Sequence, residues 1–165
     1  VTELDKPMEK EKLTENERLH VSLDLSCALE YLHSRGVVHR QVVAGNAFVH
    51  EGGGVATKLG GLISARVACR VQGRASVAIG TAGPGPGDAQ LAAVSVDPRS
   101  EDIRNFGSLL LRLWQSDLPP KKQTFTEVVE ALKTDSILER IRDASVRYVV
   151  GCCLSEPPQR PSARV

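Results

Sequence analysis

Apolar residues recur at helical spacing through Val21, Leu25, Ala28, Leu29 and Leu32, while Arg18, Asp24 and Glu30 lie off that stripe. One apolar face with a period near that of an α-helix marks a helix packed on a core. Thr14-Glu15-Asn16-Glu17 stands just before it and fits a capping box, Thr14 bonding the backbone at the third helical position and Glu17 reaching back. Gly36 suits the left-handed residue that closes a helix. The pattern predicts a helix from about Glu15 to Ser34. Two β-prone runs follow, Val37-Val38 and Ala47-Phe48-Val49, then Glu51-Gly52-Gly53-Gly54 and a further run from Val55 to Leu59, which together predict a small hairpin with a glycine turn.

From about Gly60 to Arg99 the pattern dissolves into Gly, Ala, Pro, Ser and Val without sustained periodicity, and an irregular segment is expected. Ser100 is read as the cap of a second helix, with Ile103, Phe106, Leu110, Leu113 and Trp114 on its buried face and Pro119-Pro120 beyond its end. Thr124 to Glu127 is a further possible capping box, opening a helix through Leu132. Ile137, Ile141, Ala144, Tyr148 and Cys152 are read as the apolar face of the last helix.

Composition narrows the picture. At 165 residues the chain is large enough for one domain with a real core. The formal net charge is +1, so no basic field gathers nucleic acid. Leu109-Leu110-Leu111 is interrupted by Arg112, far short of the roughly 20 apolar residues a bilayer requires, so no membrane insertion is expected in this segment. The start, VTELDKPMEKEK, lacks the marks of an export signal. Cys27, Cys69, Cys152 and Cys153 lack paired metal spacing and are read as buried free thiols in a reducing, cytoplasmic (intracellular) compartment.

Motifs then supply the candidate chemistry. The frame His39, Arg40, Gln41, Val43, Asn46 resembles the catalytic loop of protein kinases, which reads His-Arg-Asp, a Lys two residues later, then Asn. Four further stretches resemble that family in the same order. Val1-Thr2-Glu3-Leu4 resembles the hinge between the lobes, with Thr2, Glu3 and Leu4 at the cofactor-facing positions. KLGGLISAR, Lys58 to Arg66, resembles the segment carrying Asp-Phe-Gly. Asp102 to Gly107 followed by LLLRLW resembles the buried central helix, and CLSEPPQRPS the C-terminal Arg-Pro-Ser signature. The resemblance implies a mainly α fold, the helical C-lobe of a protein kinase with a small β-hairpin near the catalytic-loop position. Residues 1–12 are then a hinge-like and linker segment and residues 13–165 the lobe, the small N-lobe lying outside this sequence.

Against that family the chain departs where charge is needed. The resemblance puts Gln41 where an Asp orients the substrate hydroxyl, and Val43 where a Lys stabilises the transferring phosphoryl group. An amide is no base near neutral pH, and the general-base contribution it forgoes is typically about 100- to 10,000-fold. Gly61 stands in place of the metal-binding Asp, with Leu62 and Ile63 after it. Asn46 alone is a poor site for magnesium, so no metal is expected. His39 is read as packing beneath the loop, Arg40 as a residue that in the family clamps a phosphorylated segment, here with Ser76 or Thr81 as candidates. Lys58 is read as solvated. The resemblance gives Asp102 a structural role, holding the loop backbone. The glutamate that the family pairs with the residue at Arg160 has no counterpart at Ala92-Ala93-Val94, so Arg160 is expected to be exposed or to pair with Asp88, Asp97 or Glu101. The expectation is a catalytically inactive pseudokinase acting through protein–protein interaction, an active kinase among its candidate partners, with no cofactor. The alternative is a divergent active kinase, Ser/Thr or Tyr specific, using ATP and magnesium and placing its acids elsewhere, with Asp24, Glu51 and Asp88 available.

Overall fold

The computed structural model describes residues 1–9, 13–51, 55–71, 74–77, 97–115, 137–156 and 159–163. β1 (Thr2–Glu3) leads into a short helix, α1 (Asp5–Glu9), and then the long α2 (Glu15–Ser34). The capping box is formed in full, since Thr14 N–H donates to Glu17 Oε2 at 2.8 Å and Glu17 N–H to Thr14 Oγ1 at 3.3 Å. Bonds from Thr14 N–H and Thr14 Oγ1 hold the Glu17 carboxyl below its ordinary range. At the other end Gly36 takes φ 72°. Val21, Leu25 and Leu29 are buried, and the same stripe continues into His33, one turn further on.

After α2 come β2 (Val37–Val38), a 3-10 turn at Ala44–Asn46, and the hairpin β3 (Ala47–Glu51) and β4 (Val55–Leu59). β3 is central in an antiparallel sheet ordered β1-β3-β4, with Thr2 opposite Val49 and Ala47 opposite Leu59. Leu4 N–H donates to Ala47 O at 2.8 Å, and Leu4 itself is fully buried in the common core. α2 packs on β4, where Asp24 Oδ2 accepts from Thr57 N–H at 2.7 Å.

The stretch after Gly60 is more regular than its composition suggested. A 3-10 turn at Leu62–Ser64 precedes β5 (Arg66–Val71) and β6 (Arg74–Val77), and with β2 these form a second antiparallel sheet ordered β2-β5-β6. The pairing partner 30 residues upstream, Val37 opposite Val67, is a long-range contact that local periodicity does not encode. The turn-rich run from Gly80 to Gly87 and the helix expected from Thr124 lie outside the described residues.

α3 (Arg99–Trp114) is the buried helix, with Ile103, Phe106, Leu109, Leu110, Leu111 and Leu113 all buried. Its cap is not Ser100, which sits in the first turn. Asp97 Oδ1 accepts from Arg99 N–H at 3.0 Å, and the Arg99 side chain bonds the same carboxylate. Burial pushes the Asp97 carboxyl up, but the Arg99 bonds and charge outweigh it and hold it below its ordinary range.

The last helix is shorter than its apolar pattern implied. Ile137 and Ile141 are buried but flank a 3-10 turn at Leu138–Arg140, and α4 (Ala144–Leu154) starts only after Asp143, whose carboxylate accepts from Ser145 and Val146 N–H. Its buried residues are Val150 and Cys153, while Ala144 and Tyr148 are exposed. The N-cap breaks the helical phase, so the stripe read across Asp143 joined two separate segments. α3 and α4 approach closely at Gly107, where an added Cβ would lie 2.6 Å from Cys153 Cβ. The thiols also divide: Cys153 is buried and its thiol pushed up to about 12 by burial, whereas Cys27 is exposed, contrary to expectation. Among the described residues no helix is long and apolar enough to cross a membrane.

Candidate functional site: the His39–Asn46 loop

Asp102 organises the site. Its side chain is fully buried in the first turn of α3 and accepts three hydrogen bonds. Oδ2 takes His39 N–H at 2.7 Å and His33 Nε2 at 2.8 Å, and Oδ1 takes Arg40 N–H at 2.6 Å. A carboxylate is an acceptor with several lone-pair sites, so one side chain satisfies two backbone donors and an imidazole at once. Arg40 has φ 71°, a region disfavoured for any residue with a Cβ, and the Asp102 bonds to its own N–H and to that of the preceding His39 help hold it there. Its own side chain is exposed.

His39 is fully buried beneath the loop. Its Nε2 donates to Gly60 O at 2.7 Å, and its Nδ1 accepts from Gln41 N–H at 3.2 Å. That pattern assigns the neutral Nε2–H tautomer and leaves neither nitrogen free to move a proton for a substrate.

The positions that would meet a substrate look different. Gln41 is exposed, and its side chain makes no hydrogen bond among the described residues. Val43 is 48% exposed, an apolar group presented to solvent. Asn46 closes the 3-10 turn, and its Nδ2 donates to Gln41 O at 2.9 Å. Gly61 follows β4 with φ 74° and carries no ligand atom. Lys58 is exposed on β4.

Magnesium does not fit this donor set. Gly61 offers nothing, the Asn46 amide is neutral and engaged with Gln41, and the described residues contain no group of three His, Cys, Asp or Glu that could hold an ion. Of the acids considered as substitutes, Asp24 is bonded to Thr57 N–H on β4, while Asp88 lies outside the described residues. At the hinge-like segment, the Leu4 N–H is taken by Ala47 O, so it is not offered to a ligand.

Residues 2–72 match the family model for protein tyrosine and serine/threonine kinases, a span that includes Thr2 to Leu4, the loop and Gly61. That match supports a relationship to the protein kinase family. The kinase match stops short of Asp102 and Arg160, yet Asp102 reaches back to the matched loop through the bonds above. No curated protein matches the chain.

Of the partners expected for Arg160, Asp88 lies outside the described residues and neither described acid takes it. Arg160 is half-buried, and its guanidinium donates to Ser100 O at 3.3 Å and Ser100 Oγ at 3.1 Å instead of to Asp97 or Glu101. Burial lowers its basicity, partly offset by the charge of Glu156. Glu101 is occupied by Arg104. The kinase-like loop also has a member that sequence reading missed: His33, the third donor on Asp102. Its signal was present, a polar residue four positions past Leu29 on the buried stripe of α2.

Proposed function

We propose that this chain is the helical lobe of a catalytically inactive pseudokinase, cytoplasmic, acting as a scaffold or allosteric partner of another protein, with an active kinase as a candidate partner. One observation carries the reading. Three positions where the kinase resemblance calls for charge are Gln41, Val43 and Gly61, while the buried clamp that gives the same loop its shape, Asp102 on His39 and Arg40, is present. Transfer of a phosphoryl group relies on positioning and on stabilising developing charge. An exposed amide, an exposed valine and a glycine supply none of that charge. A loop that keeps its fold without it retains a surface that a protein can read.

The direct test is a phosphotransfer assay on the full chain joined to any segment that precedes it, beside the Gln41→Ala variant. The proposal expects no turnover above background in either. Turnover that Gln41→Ala abolishes would refute it.

A further inference from the structure

The kinase resemblance implies a magnesium ion between residue 61 and Asn46, and the packing there conflicts with it more deeply than the missing carboxylate alone. A Cβ built on Gly61 would fall inside the Asn46 side chain, with Nδ2 at 2.6 Å and Cγ and Oδ1 nearer still. Asn46 is fixed from three directions. Its N–H donates to Val43 O at 3.0 Å, its carbonyl accepts from Gly60 N–H at 2.7 Å, and its Nδ2 donates to Gln41 O at 2.9 Å. The turn opposite cannot easily retreat. An added Cβ on Gly60 would lie 2.8 Å from Phe48 Cε2, and Gly60 O is held by His39.

We infer that the Asn46 amide fills the volume a metal-holding side chain at position 61 would need, so that Asn46 is a metal-free brace between the loop and the turn after β4. The inference rests on the proposed inactive loop and deepens it. Gly61 is then required by its neighbour as well as by its left-handed backbone, and restoring an acid at this one position does not restore an ion site.

A double-mutant cycle separates the two requirements, because backbone strain at φ 74° is common to both backgrounds and the clash is not. In the full chain Gly61→Ala lowers Tm by about 5 °C or more. With Asn46→Ala already in place, the same substitution costs less than half as much. Asn46→Asp keeps the side-chain volume and gives no such relief. Should Gly61→Ala alone fail to fold, recovery of a cooperative melt in the Asn46→Ala double variant supports the brace, and failure to recover overturns it, as does an equal penalty in the two backgrounds. In Gly61→Asp, Mn2+ neither raises Tm nor restores folding, and Mn2+-dependent stabilisation overturns the inference. These readouts are independent of phosphotransfer, so turnover in the full chain would remove the proposed function while leaving the steric coupling standing or falling by itself.

Discussion

The two halves of the His39–Asn46 loop are held in opposite ways. At its start His39 is fully buried, and both His39 and Arg40 hang by backbone N–H groups from one buried carboxylate. Further along, Gln41 and Val43 face solvent with side chains that nothing among the described residues engages. The buried positions carry the loop's shape, while the exposed Gln41 and Val43 lack the charge that the kinase resemblance calls for. The difference teaches that this loop is a backbone object supported from below, its shape set by the buried Asp102 and not by the side chains it presents to solvent.

The sharpest way to break the comparison is at Asp102. Asp102→Ala leaves His39 N–H, Arg40 N–H and His33 without their acceptor in a dry interior, at a cost of about 3–5 kcal/mol in chemical denaturation. His39→Ala comes next, since it removes a fully buried ring and its bonds to Gly60 and Gln41, at about 2–4 kcal/mol. Asp97→Ala removes the carboxylate that holds the Arg99 N–H and side chain at the start of α3, the helix that delivers Asp102, and costs about 1 kcal/mol. Asp97 also sets a pH sign. Its carboxyl is held below its ordinary range in the folded chain, so its contribution is present above the unfolded value of about 4 and fades as pH falls through the lower folded one. The Asp97→Ala penalty measured at pH 7 therefore shrinks below about pH 4. At the other extreme, Gln41→Ala and Val43→Ala change stability by no more than about 0.5 kcal/mol, as exposed positions do. A large loss at either would erase the contrast.

How far the sequence revealed this follows the range of the interactions. α2 was readable to its ends, because its capping box, its stripe and Gly36 are all local signals. The hairpin β3–β4 was equally legible from its two runs and glycine turn. β5 and β6 were not, since their place depends on Val37 and Val38 far upstream. Asp143 misled the reading of α4 in another way: a charged cap between Ile141 and Ala144 resets the helical phase, while the apolar spacing runs on across it. At the site, the departures at Gln41, Val43 and Gly61 could be read from the residues once the frame was aligned. The fit of Gly61 to Asn46 could not, being a side-chain contact between the two turns that meet at the open end of the hairpin. Arg160 shows the same limit, because its bond to Ser100 joins segments 60 residues apart.

The central claim, a loop with its shape kept and its chemistry gone, is tested most directly by thermal melting of the full chain with ATP, with and without magnesium. The account predicts the same Tm in buffer, in ATP and in ATP with magnesium. A rise in Tm that appears with ATP only when magnesium is present would contradict it.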